Sequence, residues 1–280
     1  MIGLPLLRSA SQLQSRVKSW RAFGETVALV PVFGRMRPCH AELVRAAQRE
    51  ADRVLVALAP FAAAGCMPGA GNGHDAEAAS IRMADEAGAD ALYAPAVFRP
   101  DGFASRLRIG GLAEVLDGEE DETAFDAFAA DMARLMSQAR ADVTLFCGVE
   151  FQRAAIARRL AEDLDLCPKV LALDLPRDDD GLPPCLAELD DDAARASAAR
   201  LWRTLSAAAA RIAGGADPDE TLDAAADALA EAGAEVEYLD LRDELTLDEI
   251  ESPEAGRRIR IFAAVVHDGR RLTDNLPVSD

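Results

Sequence analysis

The feature that most constrains the fold is a pair of short apolar runs separated by a segment with helical spacing. Residues 25–33 (ETVALVPVF) are apolar, rich in β-branched side chains and ended by Gly34. The run suits a strand, and its lack of alternation predicts burial on both faces. Residues 38–53 place Leu43, Ala46, Ala47 and Ala51 with helical period, and residues 53–59 (RVLVALA) form a second strand-like run. Strand, turn, helix, strand is a βαβ unit, which brings its strands side by side in parallel. The alternation continues with helices expected over 75–87, 122–139 and 151–164, and strands over 89–95, 143–148 and 169–175. The fold class expected is α/β, a Rossmann-like doubly wound parallel sheet. Beyond residue 176 the pattern shifts. A loop at 178–184 leads to helices over 190–214 and 217–233, then strands over 235–240 and 258–266 with residues 247–250 between. The expected division is an α/β domain over 1–176 and a small α+β domain over 177–280.

Charge narrows the partners. The chain has 49 acidic against 30 basic residues, a net charge of −19. Nucleic acids and anionic membranes need clustered cations, so neither is an expected partner. No apolar stretch is long enough to span a bilayer, and the N-terminus lacks a signal-peptide pattern. The five cysteines (39, 66, 147, 167 and 185) are odd in number and form no CxxC pair. A reduced, cytoplasmic protein is expected. His40, His74 and His267 are too far apart to suggest a metal site, and none is expected. The cations are lopsided: Lys18 and Lys169 are the only lysines, and the rest are arginines.

The turn after the first long strand, residues 34–40 (GRMRPCH), is the first candidate site. Ligands of doubly wound sheets bind at the carboxyl ends of strands, and a helix N-terminus presents unpaired N–H groups to anions. Arg35 and Arg37 add fixed positive charge, and His40 falls in the first helical turn. The turn carries neither GxGxxG nor a Walker pattern, so a plain loop with two solvated arginines is the competing reading.

Longer segments carry a resemblance. VPVFGRMRPCHAEL resembles the PTMGALHEGHL turn of pantothenate synthetases (pantoate–β-alanine ligases). RPDGFASRLRIGGLAEVLDG (99–118) is similar to that family's YPDGFxTxVxVxGLxxxLcG, and FCGVEFQRAAIARRLAEDLDL (146–166) to its FGEKDxQQLxxIRRMVxDLxL. Asp180-Gly181-Leu182 matches the DGL before its MSSRN loop, and EVEYLDLRDELTL and RRLTDNLPV match its last segments. The resemblance implies a nucleotidyltransferase-type Rossmann domain followed by a smaller domain, and a homodimer. It also implies ATP-dependent activation of pantoate as an adenylate, then attack by β-alanine. A carboxylic acid and an amine are the small-molecule partners, with ATP and Mg²⁺ as cofactors. By position, His40 is the catalytic donor. Phe33, Gly34, Arg37, Gly148 and Glu150 belong to the nucleotide site, and Gln152 and Arg153 to the acid.

The motifs depart from the family at several positions. HxGH becomes Arg37-Pro38-Cys39-His40, and GEKD becomes Cys147-Gly148-Val149-Glu150, so Val149 stands where the ATP-binding lysine would be. The second glutamine, a pantoate contact in the family, is Arg153. Residues 60–64 (PFAAA) replace NPTQF without its glutamine, 122–127 (ETAFDA) replace GHFxGV without its histidine, and 184–188 (PCLAE) replace MSSRN. Two alternatives therefore stand beside the ligase: a non-enzymatic paralogue serving as an interaction or regulatory subunit, and a ligase for a more anionic acid. A Cys39 nucleophile activated by His40 is disfavoured, since helix neighbours point apart and a buried small thiol is the simpler reading. The acidic runs 119–122 and 190–193 read as solvated charges. Residues 66–74 (CMPGAGNGH) read as a loop.

Overall fold

A computed structural model describes residues 3–59, 74–119, 123, 125–186, 191–252 and 256–278. Two compact units divide the chain, Met1–Leu175 and Pro176–Asp280.

The first unit runs β1 (Leu6–Leu7), α1 (Ala10–Ala22), β2 (Val27–Phe33), α2 (Pro38–Ala47), β3 (Arg53–Ala59), α3 (His74–Ala87), β4 (Ala91–Tyr93), α4 (Asp126–Ala139), β5 (Val143–Cys147), α5 (Phe151–Asp163) and β6 (Val170–Leu173). The six strands form one sheet in the order β1-β4-β3-β2-β5-β6, and every neighbouring pair is parallel. The expected doubly wound sheet is present. All seven residues of β2 are buried, which accounts for its unbroken apolar run. Helices α1, α4 and α5 form one contiguous layer and α2 and α3 another.

Several bounds differ from the sequence expectation. Helix α2 stops at Ala47, where Gln48 caps it, well short of residue 53, and β4 has only three residues. The described part of α4 begins at Asp126. Helix α1 and strand β1 were not expected from the sequence. Yet α1 carries a legible signature: Ser9 caps it by accepting from the Gln12 N–H, and Leu13, Val17 and Trp20 make a narrow buried stripe at i, i+4, i+7. The surrounding Ser, Gln and Arg residues hide that stripe.

The second unit contains α6 (Asp192–Ala213), α7 (Pro218–Glu231) and an antiparallel sheet β7 (Glu235–Asp243), β8 (Ile259–His267), β9 (Arg270–Val278). Strand β9 is an addition to the expected set. Its sequence, RRLTDNLPV, is poor in strand formers, but Asp268 and Gly269 both have positive φ and join His267 to Arg270 in a two-residue hairpin. Pro277 is tolerated because β9 is an edge strand. The polar residues of β9 are held inside the unit. Asp274 receives both arms of Arg177 at 2.7 Å, and the Asn275 side-chain oxygen accepts from Arg260 at 2.6 Å.

Candidate active site

Strand order places the site. Successive strands β2, β3 and β4 step one way from β2, whereas β5 and β6 lie on its other side, so the direction of winding reverses between β2 and β5. Strand β2 pairs with β3 along its whole length but with β5 only at Ala28–Val143 and Leu29–Thr144. The two central strands therefore part towards their carboxyl ends. Past those ends lie the 34–37 turn on one side and residues 148–150 on the other.

The first wall is the start of α2. Gly34 turns the chain with φ +84°. The Met36 N–H is anchored to the buried Ser80 Oγ at 3.0 Å. Arg37 is the N-cap residue and Pro38 is N1, where a missing N–H costs no helical bond. His40 is N3 and is buried, and its Nδ1 accepts from the Arg37 backbone N–H at 2.9 Å. Only an unprotonated Nδ1 can accept, so the neutral ring carries its proton on Nε2. Burial, helped by the charge of Arg37, pushes the His40 pKa down to about 3. The imidazole is therefore a fixed, neutral Nε2–H donor at neutral pH. Cys39 Sγ lies 3.9 Å from His40 Nδ1. That nitrogen's lone pair already faces Arg37, so His40 is not placed to deprotonate the thiol.

The second wall follows β5. A Cβ at Gly148 would stand 2.3 Å from Asp174 Oδ1 and 3.0 Å from the Leu173 carbonyl, so only glycine fits there. Residues Gly148–Glu150 form a 3-10 turn leading directly into α5. Arg153, in the first turn of α5, sits with its guanidinium 5.3 Å above the Phe33 ring and 3.5 Å from Glu150 Oε1. Phe33 is backed by Phe128 and Phe146, with ring centroids at 5.5 and 6.2 Å. Burial pushes the Glu150 pKa up to about 7, against the opposing charges of Arg153 and Arg37 and with a further rise from Cys147. Phe33, Arg37, Glu150 and Arg153 thus interact around one point, joining the two walls.

Gln152 faces elsewhere. Its amide nitrogen donates to the Leu112 and Val115 carbonyls at 2.9 and 2.7 Å, and its oxygen accepts from the Asp117 N–H at 3.3 Å. It ties down residues 112–117, the segment in which Leu116 holds φ +54°. Gln152→Leu should lower stability by about 2–4 kcal/mol, because it removes three hydrogen bonds at once and puts an apolar side chain against backbone polar groups. Chemical denaturation measures this, and an unchanged midpoint would contradict the anchoring role.

No lysine serves the site. Lys169 precedes β6, at the opposite end of the sheet from residue 148, and pairs with Glu50 at 2.7 Å. Lys18 is exposed on α1. Arginines are therefore the cations near the switch point. Of the remaining sequence candidates, 60–64, 66–73, 120–122 and 187–190 lie outside the described residues, which removes Glu188 and parts of two acidic runs from view. Pro184–Leu186 form a 3-10 turn in the second unit.

The two titrating groups oppose each other in pH. His40 is unprotonated when folded, so its contribution to stability is lost as pH falls from about 6.5 towards 3. Glu150 holds its proton when folded, so its contribution is lost as pH rises from 4.5 towards 7. Relative to the wild type, Glu150→Gln should gain stability with rising pH across that window, by at most about 1.4 kcal/mol per pH unit. Urea unfolding of both proteins at pH 5, 6 and 7 reads this directly. A difference that does not change with pH refutes it.

Comparisons with known proteins bear on the fold and the family. The family model described as Pantoate-beta-alanine ligase matches residues 5–277. A pantothenate synthetase from Chelativorans sp. (strain BNC1) is 36% identical over 290 residues, covering 99% of each chain. The crystal structure of pantothenate synthetase from Thermus thermophilus superposes with a TM-score of 0.83 at 26% identity, covering 99% of this chain and 100% of that one. The Francisella tularensis pantoate-beta-alanine ligase, solved with β,γ ATP and β-alanine, shares the fold with a TM-score of 0.73 at 18% identity. No helix among the described residues is long and apolar enough to cross a membrane. Matched from end to end by the family model and by relatives above 30% identity, the chain belongs to the pantoate–β-alanine ligase family.

Proposed function

We propose that the protein joins pantoate to β-alanine at the expense of ATP. The observation that carries this reading is the end-to-end family match. The reaction has two steps. A pantoate carboxylate oxygen bonds to the α-phosphorus as the bond to pyrophosphate breaks. The β-alanine amine then attacks the acyl carbon, AMP leaves, and the nitrogen loses a proton. Bound ATP supplies the leaving group for the first step and the mixed anhydride for the second.

The residues present suit that task in a particular way. His40 offers a neutral Nε2–H whose direction is set by the Arg37 N–H behind it, a donor that needs no reorganisation as phosphate charge develops. Arg37 stands at the same helix start and takes the place of a histidine that the family motif carries. Arg153, held flat on Phe33, presents a planar cation suited to a carboxylate or phosphate. Gly34 makes the turn into the first wall, and Gly148 lets the second wall pack against Asp174. Glu150 titrates near neutrality beside two guanidiniums, so it balances their charge and makes a poor cation ligand. Mg²⁺ would therefore be held chiefly by the nucleotide's own oxygens, where it would offset phosphate charge. Gln152 acts one step back, by fixing the 112–117 segment. The test is an assay of the purified, folded chain with pantoate, β-alanine and MgATP, reading pantothenate and AMP together. Folded protein that forms neither product rejects the proposal.

A further inference from the structure

Cys39 and Cys147 are more than a hundred residues apart in sequence and belong to no spacing motif, yet the fold joins them. Cys39 is N2 of α2 and Cys147 is the last residue of β5, one on each wall of the site. Their sulfurs lie within 4.8 Å of one another, both residues are only 2% exposed, and both are reduced thiols. Each stands where the family motifs quoted above have glycine (HxGH and GEKD), so each puts a thiol where the family motif has no side chain.

We propose that Cys39 and Cys147 bind a soft, monovalent d¹⁰ metal ion of the copper(I) class between their sulfurs. Two metal–sulfur bonds of about 2.3 Å reach across at most about 4.6 Å, and sulfurs within 4.8 Å of one another come close enough to share one ion. Thiolate pairs select soft ions, and of these zinc requires four ligands in a closed tetrahedral site. Within the first unit, His40 and Glu150 are the donors beside this pair, and they do not complete such a set. The His40 Nδ1 lone pair is spent on the Arg37 N–H, and Glu150 is engaged with Arg153. Among the donors of the first unit, an ion satisfied by these two sulfurs fits best. Binding converts both thiols to thiolates, releases two protons and leaves one net negative charge, which lies beside Arg37 and the start of α2. The ion would sit between His40 and Glu150. On the ligase reading given above, it would exclude the nucleotide, so metal and MgATP compete; this consequence rests on that reading.

Anaerobic titration with copper(I) against a chromophoric chelator tests the site on the whole chain. The expected result is one ion retained per chain by the wild type, and loss of that ion in both Cys39→Ser and Cys147→Ser. Cys167→Ser is the control, because Cys167 lies at the far end of the sheet, where its sulfur contacts Thr144 and the Lys169 carbonyl, and it should retain the ion. Circular dichroism confirms that each variant is folded. Retention that is equal in the wild type and both site variants, or no retention above buffer, overturns the proposal. The ligase assay with and without the ion then separates the two readings. A chain that holds copper but makes no pantothenate in either state keeps the metal site and rejects the ligase.

Discussion

Replacing His40 by alanine should lower kcat for pantothenate formation by about 10²–10³-fold, the usual effect of removing one preorganised donor to developing charge. The expectation follows from three facts about the ring. It is buried, it is neutral, and its Nδ1 is fixed by the Arg37 N–H, which leaves Nε2–H as its reactive end. Alanine also removes the bond back to the N-cap, at about 1 kcal/mol of stability. His40→Gln separates the two effects. A glutamine at N3 restores the reciprocal cap bond, so the variant should melt like the wild type while staying slow. Steady-state kinetics and thermal melts on both variants check this. If His40→Gln recovers both stability and rate, the imidazole is a cap and not a donor.

Gly118→Ala should be the most damaging single methyl in the described part of the first unit. A Cβ there would fall 2.0 Å from the Ala113 carbonyl oxygen and 2.7 Å from its carbon. Both are backbone atoms, so no rotamer change relieves the overlap. The 112–118 segment has little freedom to yield, since Gln152 grips it through two carbonyls and one N–H. A loss of about 3 kcal/mol or more is expected, seen as a drop in melting temperature on the order of 10 °C. Gly110→Ala is the companion measurement, because a Cβ at Gly110 meets nothing within 4 Å. Equal melting temperatures for the two variants would show that the segment relaxes freely.

The legible parts of the fold were those whose physics is local or periodic. The unbroken apolar run of β2 announced burial on both faces, and the alternation of strands with helices then required parallel neighbours. Helix α1 and strand β9 were written less clearly. A three-residue stripe amid polar side chains supports α1, and an Asp-Gly hairpin turn pins β9 to β8 despite its weak strand composition. The 34–40 turn was visible as a candidate site because topology places ligands at strand ends. The absence of a lysine was visible too, by counting.

What the sequence by itself determined is therefore the α/β pattern, the strand-end turn with His40, and the replacement of the lysine position by Val149. What only the tertiary structure decided is how those residues act. His40 could have been a charged donor, a base or a core histidine; burial and one bond from the Arg37 N–H make it neutral with its proton on Nε2. Gln152 and Arg153 are neighbours in sequence, yet the helix turns one into the anchor of residues 112–117 and lays the other on Phe33. Cys39 and Cys147 carry no spacing signal at all. Their approach exists because adjacent parallel strands deliver distant segments to the same end of the sheet, and a linear pattern holds no record of that distance.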